Sequence, residues 1–188
     1  MEISNHSGTA VEALVESYRQ TSLQGENSCG FVSPIGSMRI CAKDNYICKV
    51  EFTDEPAPGE PRGELAVAVL WLEEYFAGNR PSWHPRCSVL GTRFSFEVGS
   101  RVCRIPYGET STYKIICDDI VRCFPGSLVG PQAVSGTLSL NQLAIMNPCH
   151  RVIGSDDDPG EYPWGLERKK WLLEFEKRTA SPIAPACR

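Results

Sequence analysis

STYKIICDDIVRCFPGSLVGPQAVSGTLS, residues 111–139, is the stretch on which the reading of this chain turns. Ser111 or Thr112 can lend a side-chain oxygen to the unpaired N–H groups of a helix start, and the spacing beyond predicts a helix through about residue 121. Pro125-Gly126 breaks it. Pro131 stands where a first helical residue is preferred, because its missing N–H is one the helix would leave unpaired anyway; a short helix over 132–138 follows. Helix, turn, short helix is the outline of a helix-turn-helix. Ala133, Ser135, Gly136, Thr137 and Ser139 are unusually small for a helix. They would let its backbone approach a partner closely, or pack it tightly on a neighbouring helix.

Upstream of this stretch, Thr92 caps an expected helix through residue 102 and IPYGET (105–110) forms a turn; downstream, a last helix is expected over 166–177, followed by a tail containing proline. The second half therefore reads as helix-rich, with a domain over 91–178 and a tail at 179–188. The first half differs. GFVSPIGSMRICA (30–42) and NYICKVEF (45–52) read as two strands around a Lys43-Asp44-Asn45 turn. DEPAPGEPRG (54–63) is a loop, and ELAVAVLWLEEYFA (64–77) has a helical apolar face that stops at Gly78-Asn79 and Pro81. A small strand-and-helix domain is expected over 31–85, a Pro/Trp/His-containing linker over 81–87, and a polar arm over 1–30 with a short helical pattern at 11–18.

With 188 residues, 41% of them hydrophobic and 9% aromatic, the chain can bury a core. Its longest apolar runs, 65–72 and 143–146, fall far short of a membrane span, and no basic-then-apolar signal pattern opens it, so an intracellular place is expected. Nine cysteines, an odd number without a secretion signal, read mostly as reduced packing thiols. The net charge of -4 hides an asymmetry: residues 1–85 carry 6 basic and 12 acidic side chains, residues 86–188 carry 13 and 11. If nucleic acid is bound, the second half binds it, through a few placed contacts.

Chemistry concentrates in NPCHRVIGS (147–155), which sets a proline, a cysteine, a histidine and an arginine side by side. A nucleophilic thiol must ionise, and a neighbouring base or cation assists that. Neighbours in a strand point oppositely, so Cys149 and His150 need a turn to act together, and Pro148 constrains the backbone entering it. Glu176 lies three and four positions after Leu173 and Leu172, on a face suited to the core, so its carboxylate needs a partner; a histidine oriented by a carboxylate is a usual way to activate a thiol.

These residues carry a resemblance. IPYGETSTY (105–113), Asn141 seven residues before Pro-Cys-His-Arg-Val, then Tyr162, Gly165 and KKWLLEFE (169–176) are similar to the O6-alkylguanine-DNA alkyltransferases, well over 91–178 and more loosely from SPIG (33–36) through the helix at Leu65. The resemblance implies an α/β two-domain fold: a ribonuclease-H-like N-terminal domain and a C-terminal winged helix-turn-helix that enters the minor groove and flips the lesion into a pocket. It makes Cys149 the alkyl acceptor, with His150 taking its proton through a water, Glu176 orienting His150, Asn141 supporting the active turn and Tyr113 protonating the purine at N3. Gln132, Ala133, Gly136 and Arg151 would meet DNA; Tyr162, Pro163, Trp164 and Val152 would line the pocket. The implied partner is double-stranded DNA containing O6-alkylguanine, bound by a monomer, with no membrane; the nucleus follows as its place if DNA repair is its task. Attack on an sp³ carbon needs a soft thiolate and no oxyanion hole, and the thioether product has no easy hydrolytic exit, so the protein would act once.

Three departures from the family pattern stand out. Gln132 replaces the arginine that fills the space of the flipped base. Tyr162-Pro163-Trp164-Gly165 replaces Tyr-Ser-Gly-Gly, and Pro163 has no N–H for the guanine O6. The stretch from Tyr113 to Gln132 is about five residues longer than usual, near 123–129, either to contact the DNA backbone or as a loop the surface tolerates. No cofactor is expected. A structural zinc is the one metal considered, with Cys48 and His84 near its family position and Cys29, Cys41 and Cys87 as further ligands, though no close Cys-x-x-Cys pair marks it. Two other functions use the same residues: a sensor that binds alkylated DNA without repairing it, and a cysteine hydrolase.

Overall fold

The computed structural model of the chain describes residues 6–21, 24–55, 58–88, 91–126 and 129–180. It divides into two compact units, residues 1–89 and 90–188. No helix among the described residues is long and apolar enough to cross a membrane.

In the first unit, α1 (His6–Arg19) precedes an antiparallel meander of β1 (Glu26–Ser33), β2 (Gly36–Lys43) and β3 (Tyr46–Phe52), and α2 (Glu64–Phe76) follows. Two strands were expected here; there are three, because residues 30–42 hold a hairpin of their own. At its turn Ser33 Oγ donates to Gly36 O (2.6 Å) and accepts from Ile35 N (3.3 Å), and Pro34 cannot donate to a ladder, so pairing stops there. The second turn falls at Asp44-Asn45, both with positive φ (50° and 66°), the conformation that joins two strands without splaying them. Met38, Ile40 and Ala42 of β2 alternate onto one buried face, and a register shift in the β2–β3 pairing at Cys41/Ala42 sets Ile47 and Val50 of β3, three residues apart, opposite Ala42 and Ile40. α2 packs on that face. Leu65, Val67, Ala68, Trp71, Leu72 and Tyr75 are buried along a broad face of the helix, on which α1 packs as well as the sheet.

Within the expected arm, the described residues 6–21 are anchored to the unit: Val15 of α1 is buried, and Arg19 reaches the buried Glu64 (3.7 Å) and the carbonyl of His84 (3.1 Å). Residues 1–5 lie outside the described residues. The 86–88 segment runs along the edge of β3, with Ile47 N bonding Arg86 O (2.8 Å) and Ser88 N bonding Ile47 O (2.9 Å).

The second unit runs α3 (Arg93–Val102), β4 (Ser111–Thr112), α4 (Tyr113–Cys123), α5 (Pro131–Ser139), a 3₁₀ turn at Cys149–Arg151, β5 (Val152–Ile153) and α6 (Leu166–Ala180). Thr92 and Thr112 cap α3 and α4 by accepting from Ser95 N and Ile115 N, each at 3.2 Å, and Pro131 opens α5. α3, α4 and α5 pack pairwise around Val98, Val102, Ile116, Ile120, Val134 and Leu138. β4 and β5 pair in parallel, which sets the first residue of α4, Tyr113, beside the strand that leaves the 3₁₀ turn. The lengthened stretch between α4 and α5 is tied back at both ends: the Arg93 guanidinium covers the Phe124 ring (5.1 Å) and Cys117 Sγ donates to Val129 O (3.0 Å), while 127–128 lie outside the described residues. α6 runs to Ala180, past the expected end, because Thr179 bonds the Tyr107 hydroxyl (2.7 Å); residues 181–188 lie outside the described residues.

Glu64 is the charged group at the centre of the first unit, 2% exposed, and it accepts from Arg86 N–H as well as facing Arg19. Glu64→Ala strands that N–H and the guanidinium, and is expected to lower stability by about 2–3 kcal/mol, with Glu64→Gln losing clearly less because an acceptor remains. Thermal and urea unfolding of the two variants measure this; equal losses would show that side-chain volume, not the acceptor, matters.

Candidate active site

A buried cysteine in the second unit sits on a strained turn. Cys149 is 4% exposed and opens the 3₁₀ turn, so Cys149 and His150 do not point oppositely as strand neighbours would. The approach to it is held by Asn141, whose Oδ1 accepts from Leu143 N (3.0 Å) and whose Nδ2 donates to Asn147 O (2.9 Å) and to Cys149 Sγ (3.0 Å). Between these anchors Ile145, buried and β-branched, has φ 68°, a conformation that costs such a residue on the order of 1–3 kcal/mol.

His150 is fully buried, and its Nε2 lies 2.8 Å from Glu176 Oε1. A carboxylate accepts, so Nε2 carries the hydrogen and Nδ1 keeps its lone pair; Nδ1 is buried and has no partner among the protein's atoms. Glu176 also accepts from Arg151 Nε (2.8 Å), Arg151 Nη2 (3.0 Å) and Gly108 N (3.1 Å). Burial alone would raise its carboxyl, but the hydrogen bonds and charges of His150 and Arg151 bring it down to about 2. Burial lowers His150 below the ordinary imidazole range, outweighing Glu176. Burial likewise pushes the Cys149 thiol up to about 11, against the Asn141 hydrogen bond and the charge of Lys169. The resting pair is thus a neutral thiol beside a neutral imidazole with a free lone pair.

A pocket of about 80 Å³ opens onto Cys149. Tyr113, Ser135, Leu138 and Ser139 of α4 and α5 line it together with Glu161, Tyr162 and Pro163. Tyr113 is hydrogen-bonded to Ser135, and burial, then the charge of Cys149, holds its hydroxyl above the usual phenol range. Gly160, at φ 65°, lies so close that an added Cβ would stand 3.2 Å from the Tyr113 hydroxyl.

Cys149, His150, Glu176, Asn141, Tyr113, Tyr162 and Pro163 are therefore brought together. Gln132, Ala133 and Gly136 share an exposed face of α5, and nothing stands within 4 Å of where a Gly136 side chain would project. Arg151 belongs elsewhere than at a DNA surface. Two of its nitrogens bond Glu176, a third bonds Ile105 O (2.8 Å), and its plane covers the Tyr107 ring (5.5 Å), so a phosphate would have to displace a buried partner. Val152 is fully buried and is absent from the pocket lining, and Trp164 instead packs its ring against Tyr162 (5.2 Å). Cys48 donates to Cys41 O (3.5 Å) and the His84 ring lies on Trp71 (5.2 Å); among the described residues no three His, Cys, Asp or Glu side chains are grouped to hold a metal ion.

Lys169 was missed. It is fully buried, donates to Val152 O (2.6 Å) and Glu161 O (3.2 Å), and burial lowers it to about 8 against the charges of Cys149 and Asp158. The signal was present: Lys169, Leu172 and Glu176 follow one another at three and four residues, so the lysine shares the buried face that exposed Glu176 to notice.

The described geometry has counterparts. Residues 93–178 match the model of the 6-O-methylguanine DNA methyltransferase DNA-binding domain. The chain is 34% identical over 153 residues to a methylated-DNA–protein-cysteine methyltransferase of Mycobacterium leprae, covering 77% of this chain and 88% of that one. It is 39% identical over 147 residues to a probable methylated-DNA–protein-cysteine methyltransferase of Acanthamoeba polyphaga mimivirus, covering 77% and 92%. Among solved structures, it is similar to the Mycobacterium tuberculosis OGT in complex with DNA, with a TM-score of 0.70, 32% identity, and coverage of 85% and 95%.

Two pH effects follow from the site. Iodoacetamide should modify Cys149 faster as pH rises, without levelling off below about 11, and mass spectrometry of the Cys149 peptide reads the rate; a plateau near the ordinary thiol value of 9.0 would contradict the burial effect. Glu176, depressed from 4.5 to about 2, contributes about 3 kcal/mol of stability that is complete above roughly pH 5 and is withdrawn as pH falls through that interval. Urea unfolding between pH 6 and pH 2 should lose this slope in Glu176→Gln; an unchanged slope would assign acid lability to other carboxyls.

Proposed function

Since the chain belongs to the family of methylated-DNA–protein-cysteine methyltransferases, we propose that Cys149 is the atom that takes the alkyl group from O6 of a damaged guanine. The chain repairs DNA by this direct transfer to its own cysteine, and each molecule acts once. One arrangement carries the assignment to Cys149: a thiol held by Asn141 at the end of a pocket, next to an imidazole whose far nitrogen is fixed by a carboxylate.

The thiol is protonated at rest, so chemistry begins with proton removal. His150 accepts that proton on Nδ1, through a water, and Glu176 stabilises the imidazolium that forms, since its Oε1 already takes the Nε2–H. Lys169 supplies positive charge near the thiolate. The thiolate attacks the alkyl carbon in line with O6; the C–S bond forms, the C–O6 bond breaks, and its electron pair moves into the purine. Tyr113, high in pKa and lining the pocket, gives a proton to N3 so that guanine leaves neutral. The proton count closes when the proton held by the His150 imidazolium returns through water to the Tyr113 phenolate, so that in sum the thiol has given up one proton and the released guanine carries it. A thioether has no hydrolytic exit, and the cysteine is not regenerated.

The first unit is a ribonuclease-H-like domain in reduced form, supported by its antiparallel meander with a helix on one face. The second is a winged helix-turn-helix in which α4 and α5 form the motif and α5 enters the minor groove. Its exposed face of Gln132, Ala133 and Gly136 supports that placement, because small side chains let the backbone approach the groove floor. Gln132, at the exposed start of α5, takes the space of the extruded base and hydrogen-bonds the orphaned partner without supplying a cation. The protein acts as a monomer on double-stranded DNA containing O6-alkylguanine, in the compartment that holds the genome, without a cofactor.

Incubation of the purified protein with an oligonucleotide containing O6-methylguanine, followed by mass spectrometry, should show a gain of one methyl group on Cys149 and never more than one per molecule. Cys149→Ser should gain none while still binding the oligonucleotide. Tight lesion binding by the native protein with no methyl gain would replace repair with sensing.

A further inference from the structure

Alkyl transfer loads negative charge onto the purine O6 at the moment its bond to the alkyl carbon breaks. Tyr113 neutralises the ring at N3, on the other side of the base, and leaves the oxygen itself to be met. A donor aimed beforehand at the place where charge develops, in a site that excludes water, is among the strongest catalytic contributions available. The alkyl carbon lies between Cys149 Sγ and O6, so that donor must stand on the pocket wall just beyond the thiol.

The wall offers few candidates. The hydroxyls of Tyr113 and Ser135 engage each other, and Ser139 Oγ donates to Gly136 O (2.8 Å). Pro163 has no N–H, and Glu161 presents acceptor oxygens. Tyr162 remains. It is 7% exposed, lines the pocket together with Cys149, and its hydroxyl oxygen is buried without any partner among the protein's atoms. Its ring is gripped edge-on between His150 (6.4 Å, 87°) and Trp164 (5.2 Å, 69°), so the hydroxyl has little freedom to turn elsewhere. An unpaired buried hydroxyl lowers stability, and a phenylalanine would fill the same space without that cost. Its retention beside the nucleophile calls for a ligand.

We infer that the Tyr162 hydroxyl donates the hydrogen bond that receives the purine O6 as it leaves, in place of a main-chain donor that Pro163 cannot supply. The inference rests on the alkyl-transfer reading. The bonds that form and break are those already given, and Tyr162 keeps its proton throughout. Burial, then the charge of Cys149, holds its hydroxyl well above the ordinary phenol value, which keeps it a donor.

The test compares the native protein with Tyr162→Phe in two reactions of the same thiol. One is single-turnover methyl transfer from an O6-methylguanine oligonucleotide. The other is modification of Cys149 by iodoacetamide, whose leaving iodide needs no donor. Loss of the donor should slow methyl transfer roughly 100-fold, leave the iodoacetamide rate within about twofold and leave the melting temperature equal or higher. Methyl transfer at the native rate overturns the inference. So does a parallel fall of both rates or a lower melting temperature, which would make the hydroxyl structural. Should the native protein take iodoacetamide on Cys149 but no methyl group, the alkyl-transfer reading itself fails, a result separate from either of these.

Discussion

The carboxylate of Glu176 is the contact on which the second unit's chemistry depends. Four donors converge on its two oxygens, from His150, twice from Arg151 and from the main chain at Gly108. They come from two places in the chain, the turn after Pro106 and the 3₁₀ turn at Cys149, and tie both to α6. The approach is so close that Gly108, at φ 81°, has no room for a side chain against Ala180 and the Glu176 carbonyl. A buried carboxylate so loaded is costly to disrupt, because removing it leaves a buried arginine without its counter-charge and a histidine N–H without its acceptor. The same group sets the histidine tautomer. Structure and reactivity are therefore controlled at one point, and His150 cannot be reoriented without loosening the unit.

Asn141 performs the complementary task on the other side of the thiol. It supplies the bonds that hold residues 143–149 in a loop the chain would not choose, as the left-handed Ile145 shows. The strain is local, and the nearby core offsets it: Leu143, Ala144, Ile145 and Met146 are all buried. Strain held by buried neighbours is stiff, which suits a nucleophile that must meet a carbon in line. Asn141, in the loop after α5, and Glu176, on α6, thus hold Cys149 and His150 from separate parts of the chain.

Much of this was legible in the sequence, for reasons particular residues make clear. Thr92 and Thr112 announce α3 and α4 because a capping oxygen is a local requirement, and Pro131 announces α5 for the same reason. Glu176 could be noticed because charge on an apolar face is an anomaly, and the same rule would have found Lys169 two turns earlier. Other features were hidden. The hairpin inside residues 30–42 was read as one strand because its turn, at Pro34-Ile35, lacks the Gly or Asn that usually marks one. The helix at 6–19 looked detachable because its attachment runs through Arg19 to Glu64 and His84, partners far away in the sequence. Arg151 was expected among the DNA contacts; only the fold shows that each of its three nitrogens bonds inside the unit.

A reactive cysteine is commonly made reactive by lowering its pKa, and this one is raised to about 11. The difference matters for a protein whose nucleophile is used once. A standing thiolate would meet any soluble electrophile and be lost without repairing anything, and the chain would have to be made again. A thiol kept neutral by burial reacts slowly with such agents, yet in the mechanism proposed above it ionises when a substrate fills the pocket, because His150 Nδ1 keeps a lone pair for the proton and Lys169, brought down to about 8 but still largely protonated at neutral pH, sets charge against the thiolate. The thiol and the imidazole rest neutral because burial disfavours their charged forms, and the charge of Lys169 is worth most once the thiol ionises. The site thereby trades speed against unselected reagents for reactivity toward the one substrate whose binding completes it.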